Sequence, residues 1–315
     1  MAYRFLADST VEANVQCILD EQLEKAIQQL SEEFQQTPGQ AVHKARKHLK
    51  KARTVLRLVR KSIAKKTYKR EKDLLRDLGR SLALARDSEV YQQTLSLLLD
   101  TYGLDQDTRG IVELQESLSG LHQFRLKELT ESDTSIAVIV SDLKDSRARL
   151  SQLGLKKTGW KALAQNLKQL YSQGQTCYHA AYEDGSDEAF HDWRKRVKDL
   201  WHCTCLLKPL WPPVMDAFDS ETYQLTQILG DGHDIAALRH FLLNHPAEVT
   251  VEEVSLQVLL PLMKHRQHRL HQQANELGQK LYCEDPAAFT HRMASYWKIW
   301  FSSASFSSAE SYPES

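Results

Sequence analysis

The chain has 315 residues, and its 41 Lys and Arg are balanced by 41 Asp and Glu, giving a formal net charge of zero. That length allows one large domain or two ordinary ones, and the charge balance argues against a uniformly basic nucleic-acid binder. Five cysteines, odd in number and without CxxC spacing, point neither to a disulfide framework nor to a zinc knuckle, so Cys17, Cys177, Cys203, Cys205 and Cys283 read as reduced thiols.

Gly (12) and Pro (8) are few while helix-favouring residues are plentiful, so the expected fold class is all-α. The opening MAYRFLADSTVEANVQ has no apolar signal-like region, and no stretch approaches the roughly 18 apolar residues of a membrane span. The expectation is a soluble, unexported, cytoplasmic protein.

Taken in chain order, Ser9-Thr10 precedes a run with apolar residues at Val15, Ile18, Leu19, Leu23, Ile27 and Leu30, a capped helix that Pro38-Gly39 ends. Further helices are predicted over about 40–64, 68–85, 88–101, 107–131 and 133–152. After the polar, Gly-containing LGLKKTGW come helices over about 160–182, 188–209, 214–230, 233–244, 251–280 and 286–301. The Ser-rich tail, 302–315, is expected to be disordered.

An internal repeat crosses this pattern. His43 to Lys50 and His191 to Lys198 both read HxxRKxxK, and LALARDSEVYQQTL meets ILGDGHDIAALRHFL so that Asp87 pairs with Asp234 at nearly the same offset. Two matches in one order indicate a duplication, with similar helical bundles over about 10–152 and 158–301.

Both repeats place a basic face on an amphipathic helix. At 100° per residue, Ala45, Leu49, Ala52, Leu56, Val59 and Ile63 form one stripe, and His43, Arg46, Lys47, Lys50, Arg53, Arg57 and Lys61 form the other. In the second repeat Trp193, Val197, Leu200 and Leu207 are apolar, with His191, Arg194, Lys195, Lys198 and His202 opposite.

A solvated face ordinarily mixes signs, because opposite charges at i,i+4 stabilise a helix by about 0.2–0.5 kcal/mol and like charges cost as much. Residues 40–70 contain no Asp or Glu. Binding of a polyanion turns that repulsion to use. Single-stranded nucleic acid calls for exposed aromatics among the basic residues, and only Trp201 approaches this face. A base-free phosphate chain needs Arg and Lys and little else.

The two HxxRK motifs, with ARDSEV and GHDIAAL, resemble the CHAD family, the conserved histidine α-helical domain, over nearly the whole chain. The resemblance implies two antiparallel four-helix bundles related by pseudo-twofold symmetry, with a basic central groove or pore. It also implies binding of inorganic polyphosphate and association with polyphosphate granules.

Carried over by position, phosphate contact falls on His43, Arg46, Lys47, Lys50, Arg53 and Arg57, and on His191, Arg194, Lys195 and Lys198. A third, less sharply marked segment in each half adds Arg125 and Lys127, and Lys264, Arg266 and Arg269. Trp201 where the first repeat has Arg53, and Asp199 where it has Lys51, imply an asymmetric site with more of the contact energy in the first half.

Other constellations are less complete. His233-Asp234 resembles the HD pair of metal phosphohydrolases without further ligands; Glu188 and His191 form one ExxH where di-iron bundles need two. His265, His268 and His271 spread around a helix as a solvated face. Asp87 and Asp234, each read as following a helix break, suit capping or the orientation of a basic neighbour. With no P-loop and no carboxylate on the first basic helix, neither catalysis, a resident metal nor a cofactor is expected. The alternatives are an RNA-binding helical protein and an accessory domain of a polyphosphate-metabolising enzyme.

Overall fold

The computed structural model describes residues 3–103, 110–131, 136–245 and 247–307. Among these the chain is built of helices: α1 (Val11–Gln28), α2 (Pro38–Leu58), α3 (Lys65–Ser81), α4 (Ala83–Tyr102), α5 (Ile111–Glu131), α6 (Ile136–Leu150), α7 (Ala164–Asp184), α8 (Asp187–Leu207), α9 (Pro212–Asn244), α10 (Glu253–Leu281) and α11 (Pro286–Ser307). None of them is long and apolar enough to cross a membrane. None of the five cysteines is in a disulfide.

Local chemistry sets the ends. The Thr10 hydroxyl accepts from the Ala13 N–H at 3.1 Å and opens α1, whose predicted apolar stripe is buried throughout. A π-helical turn, Gln29–Glu33, closes it. Pro38 then starts α2 from within its first turn, where the missing N–H costs nothing. Ser186 caps α8 by accepting from Ala189 at 3.2 Å, and Asp285 caps α11 through Ala287 and Ala288.

Several boundaries differ from expectation, among them the end of α2, which falls at Leu58 and not near residue 64. The break between α3 and α4 falls at Leu82 rather than near residue 86, so Asp87 lies inside α4. The predicted gap at 231–232 is absent: α9 runs unbroken for 33 residues through Gly230 and Gly232. Each glycine costs about 1 kcal/mol in a helix, a cost that the packing of α9 against α8 and α10 outweighs. Finally, α11 continues past residue 301. Ser302 and Ser303 donate to the carbonyls of Lys298 and Ile299, which accommodates them in the helix. Of the expected disordered tail, 302–307 is helical, and 308–315 lies outside the described residues.

The apolar interior divides into two clusters, and both draw on both halves of the chain. The larger includes Leu19 and Leu23 of α1, Leu49 and Leu56 of α2, Trp193 and Leu200 of α8, and Phe289 of α11. The smaller joins Leu95 and Leu98 of α4 and Leu114 of α5 to Leu238 of α9 and Met263 of α10.

Every residue of the predicted α2 stripe is buried, at 4 % exposure or less. That fixes the rotation of α2, which packs against α1, α3, α4 and α8. Trp193 is fully buried, and Gly278 permits it, since a Cβ there would lie 2.9 Å from the Trp193 ring. With these anchors set, α8 lies across α2, α7 and α9. A support also sits beneath α3: buried Glu71 accepts from Arg149 at 2.8 and 3.2 Å, from Ser146 at 2.7 Å and from Arg70 at 2.7 Å.

A candidate polyanion site between two basic helices

The contact of α2 with α8 brings like charges together. Lys50 of α2 feels Arg46, Arg194, Arg86 and Arg53; Lys198 of α8 feels Arg194, Lys50 and Arg86. Burial first, then these cations, push Lys50 down to about 8 and Lys198 down to about 6. Water reaches much of the Lys50 side chain even though protein surrounds its ammonium. Proton loss from the lysines eases this repulsion in the ligand-free protein, and a bound anion would restore their charge.

Each of the two HxxRKxxK helices supplies an arginine that lies near an aspartate of another helix. Arg46 is influenced by Asp87 and donates to the Gly79 carbonyl, while Arg194 stands 4.0 Å from Asp234. Asp87 and Asp234 both lie within helices, so neither is a cap, and each lies near a basic residue, Arg46 and Arg194 respectively. Burial, followed by Arg46 and Lys50 acting in opposition, leaves Asp87 above the usual carboxylate range. Arg194 has its Nε buried without a hydrogen-bond partner among the described residues.

The two motif histidines border this cluster. His43 is exposed; burial of its ring, then Arg86, lowers its pKa. His191 places Nδ1 3.1 Å from Nδ1 of His233, and the rings lie 4.4 Å apart. Burial and then the neighbouring cations lower His191 and push His233 down to about 3. Both stay neutral near pH 7, and an anion favours their protonation.

The remaining candidates separate. Lys47 is exposed on α2. Lys195 is exposed but ion-paired with Asp192 on its own helix. Arg53 lies beside Arg57, Asp199 and Arg76. Arg57 crosses to α8 and pairs with Asp199, which also holds Arg196 at 3.4 Å. On α5, Arg125 is engaged by Glu128 at 2.8 Å and Glu248 at 2.6 Å, and Lys127 is exposed. On α10, Arg266 lies near Asp231, whereas Lys264 and Arg269 are exposed.

His202 departs from its expected face. It is 4 % exposed, lying against the rings of Trp201 at 4.7 Å and Tyr3 at 6.2 Å, and burial pushes it down to about 3. The helix turns it inward because residue 202 falls at the edge of the apolar stripe. His271 likewise leaves the expected polar face and stacks on Phe190 at 3.5 Å.

Two contributors were missed. Arg86 acts on both Lys50 and Lys198, and its only sequence signal is its place before Asp87 in the repeated segment. His233 contacts His191, a pairing visible only once α9 lies across α8. Among the described residues, no three His, Cys, Asp or Glu side chains form a group able to hold a metal ion.

With this geometry in place, comparison supplies the family. The family model of the CHAD domain matches residues 17–243. The chain belongs to the CHAD domain family. Two solved structures share the fold. The CHAD domain from the plant Ricinus communis superposes with a TM-score of 0.58 at 15% identity, covering 95% of each chain. PptA from Streptomyces chartreusis gives a TM-score of 0.61 at 13% identity, over 88% of this chain and 100% of that one. No curated relative matches. As a CHAD domain the molecule is thus all-α, like its solved neighbours.

Proposed function

We propose that this CHAD domain binds inorganic polyphosphate without cleaving it, in a basic groove where α2 faces α8. The observation that carries the reading is the convergence of Arg46, Lys50, Arg86, Arg194 and Lys198, five basic side chains that meet from different helices. Association of the CHAD family with polyphosphate supports the same ligand. Phosphate chains carry charge at short, regular intervals, so modest contacts add along the chain and affinity rises with its length.

The groove is further proposed to lie between duplicated halves, about 10–152 and 158–301. Arg46 beside Asp87 and Arg194 beside Asp234 repeat one arrangement, which supports that origin. The biological consequence would be recruitment to polyphosphate, including its granules.

Calorimetric titration with polyphosphates of increasing length at physiological salt, with orthophosphate assayed in the same cells, tests the proposal. The expected result is affinity that climbs with length and no orthophosphate released. Chelator-sensitive release would instead make the protein part of a phosphate-cleaving enzyme.

A further inference from the structure

A second cationic recess lies at the C-terminal end of α2, against α7 and α8. It encloses about 110 Å³ and is lined by Arg57, Arg60, Arg196, Asn166, Gln169 and Gln173. None of these belongs to the Lys50–Lys198 cluster. Three guanidinium groups converge there, and the carboxylate of Asp199 is shared between Arg57 and Arg196. Three lining arginines against the one carboxylate that two of them share leave an excess of two positive charges among these residues.

The amides strengthen this bias. The Gln169 oxygen accepts from Arg60 at 3.0 Å, and the Gln173 oxygen accepts from Arg196 at 3.5 Å. With their oxygens accepting from guanidinium groups, the two amides keep their N–H groups as donors. At about 110 Å³, well below the roughly 300–1,000 Å³ of ordinary ligand pockets, the recess suits a single tetrahedral anion. Planar, forked guanidinium groups match phosphate oxygens.

We propose that this recess binds one dianionic phosphate group, either free orthophosphate or the terminal group of a phosphate chain. Phosphate groups inside a chain carry one charge each, whereas an end group gains a second near neutral pH, with a second pKa of roughly 6. Two net positive charges in a small enclosure select the doubly charged form. Arg57, read from sequence as a contact for the chain, is assigned here instead. The terminal-group source rests on the chain-binding reading above; the orthophosphate source does not.

The test is titration of the full chain, at low ionic strength, with orthophosphate, linear tripolyphosphate and cyclic trimetaphosphate, which has no ends. Wild-type protein is expected to bind orthophosphate, and to prefer the linear triphosphate to the cyclic one by at least tenfold. Arg60→Ala should weaken orthophosphate at least tenfold and erase the linear-over-cyclic preference. Gln173→Ala should act in the same direction, and it carries the test if circular dichroism shows Arg60→Ala unfolded. Orthophosphate affinity unchanged by these substitutions, absent from wild type, or equal binding of linear and cyclic triphosphate would overturn the proposal. Long polyphosphate titrated into the same samples reports separately on the chain-binding reading.

Discussion

Helices α2 and α8 carry the same HxxRKxxK motif, yet they neutralise it differently. On α2 the basic run has no carboxylate among its neighbours in sequence, and Arg46 satisfies a donor on the uncharged Gly79 carbonyl. On α8 Lys195 pairs with Asp192, and Arg196 shares Asp199 with Arg57. Apart from Arg57, α2 leaves its basic run without an acidic partner on its own helix, while α8 uses part of its charge on acids of its own. Copies of a motif are thus equal in pattern and unequal in available charge.

The comparison breaks most visibly under triple substitution. Replacing Arg46, Lys47 and Lys50 with Ala should weaken long polyphosphate by at least about a hundredfold, because charge-assisted hydrogen bonds contribute roughly 1.5–3 kcal/mol each. Helicity by circular dichroism should be retained, since all three side chains project from the buried stripe. The matching change of Arg194, Lys195 and Lys198 should cost about tenfold less; equal losses would show that the two helices contribute alike.

Stability is expected to respond elsewhere. Burial works to raise the Glu71 pKa, but hydrogen bonds from Arg149, Ser146 and Arg70 outweigh it and hold the group low. A carboxylate depressed in the folded state stabilises at pH above its unfolded value, and that contribution disappears as pH falls through the folded value. Glu71→Gln should therefore cost about 2 kcal/mol in denaturant unfolding near pH 7, less than for a fully enclosed pair because Arg149 is partly exposed, and should flatten the acid limb. Polyphosphate affinity of the folded protein should not change.

The cluster also predicts a pH dependence. With Lys198 near 6 and Lys50 near 8 in the ligand-free protein, an anion that favours their charged forms takes up protons on binding. Affinity should then rise by up to about a hundredfold between pH 8 and pH 6, since a full proton taken up gives tenfold per pH unit and the two lysines together take up about one proton midway through that range. The double variant Lys50→Arg and Lys198→Arg should flatten the slope. The smallest effect is expected from Lys195→Ala, less than threefold in affinity, because Asp192 already offsets that charge.

Helix periodicity made the orientation of α2 legible: its apolar residues recur with the spacing of one face, and burying them turns Arg46 and Lys50 away from the core. The same reasoning placed Trp193 inside. It could not reveal Arg86 or His233 as neighbours of the motif, because those contacts depend on how α4 and α9 cross α2 and α8. Nor could it assign Arg57 to Asp199, a pair formed between helices far apart in sequence. His202 was misplaced for a related reason, since a residue at the edge of an amphipathic stripe goes where Tyr3 and Trp201 make room. The unbroken α9 was hidden by two glycines, which by propensity mark a break but lie here inside a helix packed against its neighbours.

The most direct test is equilibrium competition at physiological salt between long polyphosphate and single-stranded RNA, run on wild type and on the Arg46, Lys47, Lys50 triple variant. The account predicts that excess RNA fails to displace polyphosphate from wild type, and that the variant keeps its fold but loses the complex. Displacement by RNA, or undiminished polyphosphate binding by the triple variant, would contradict it.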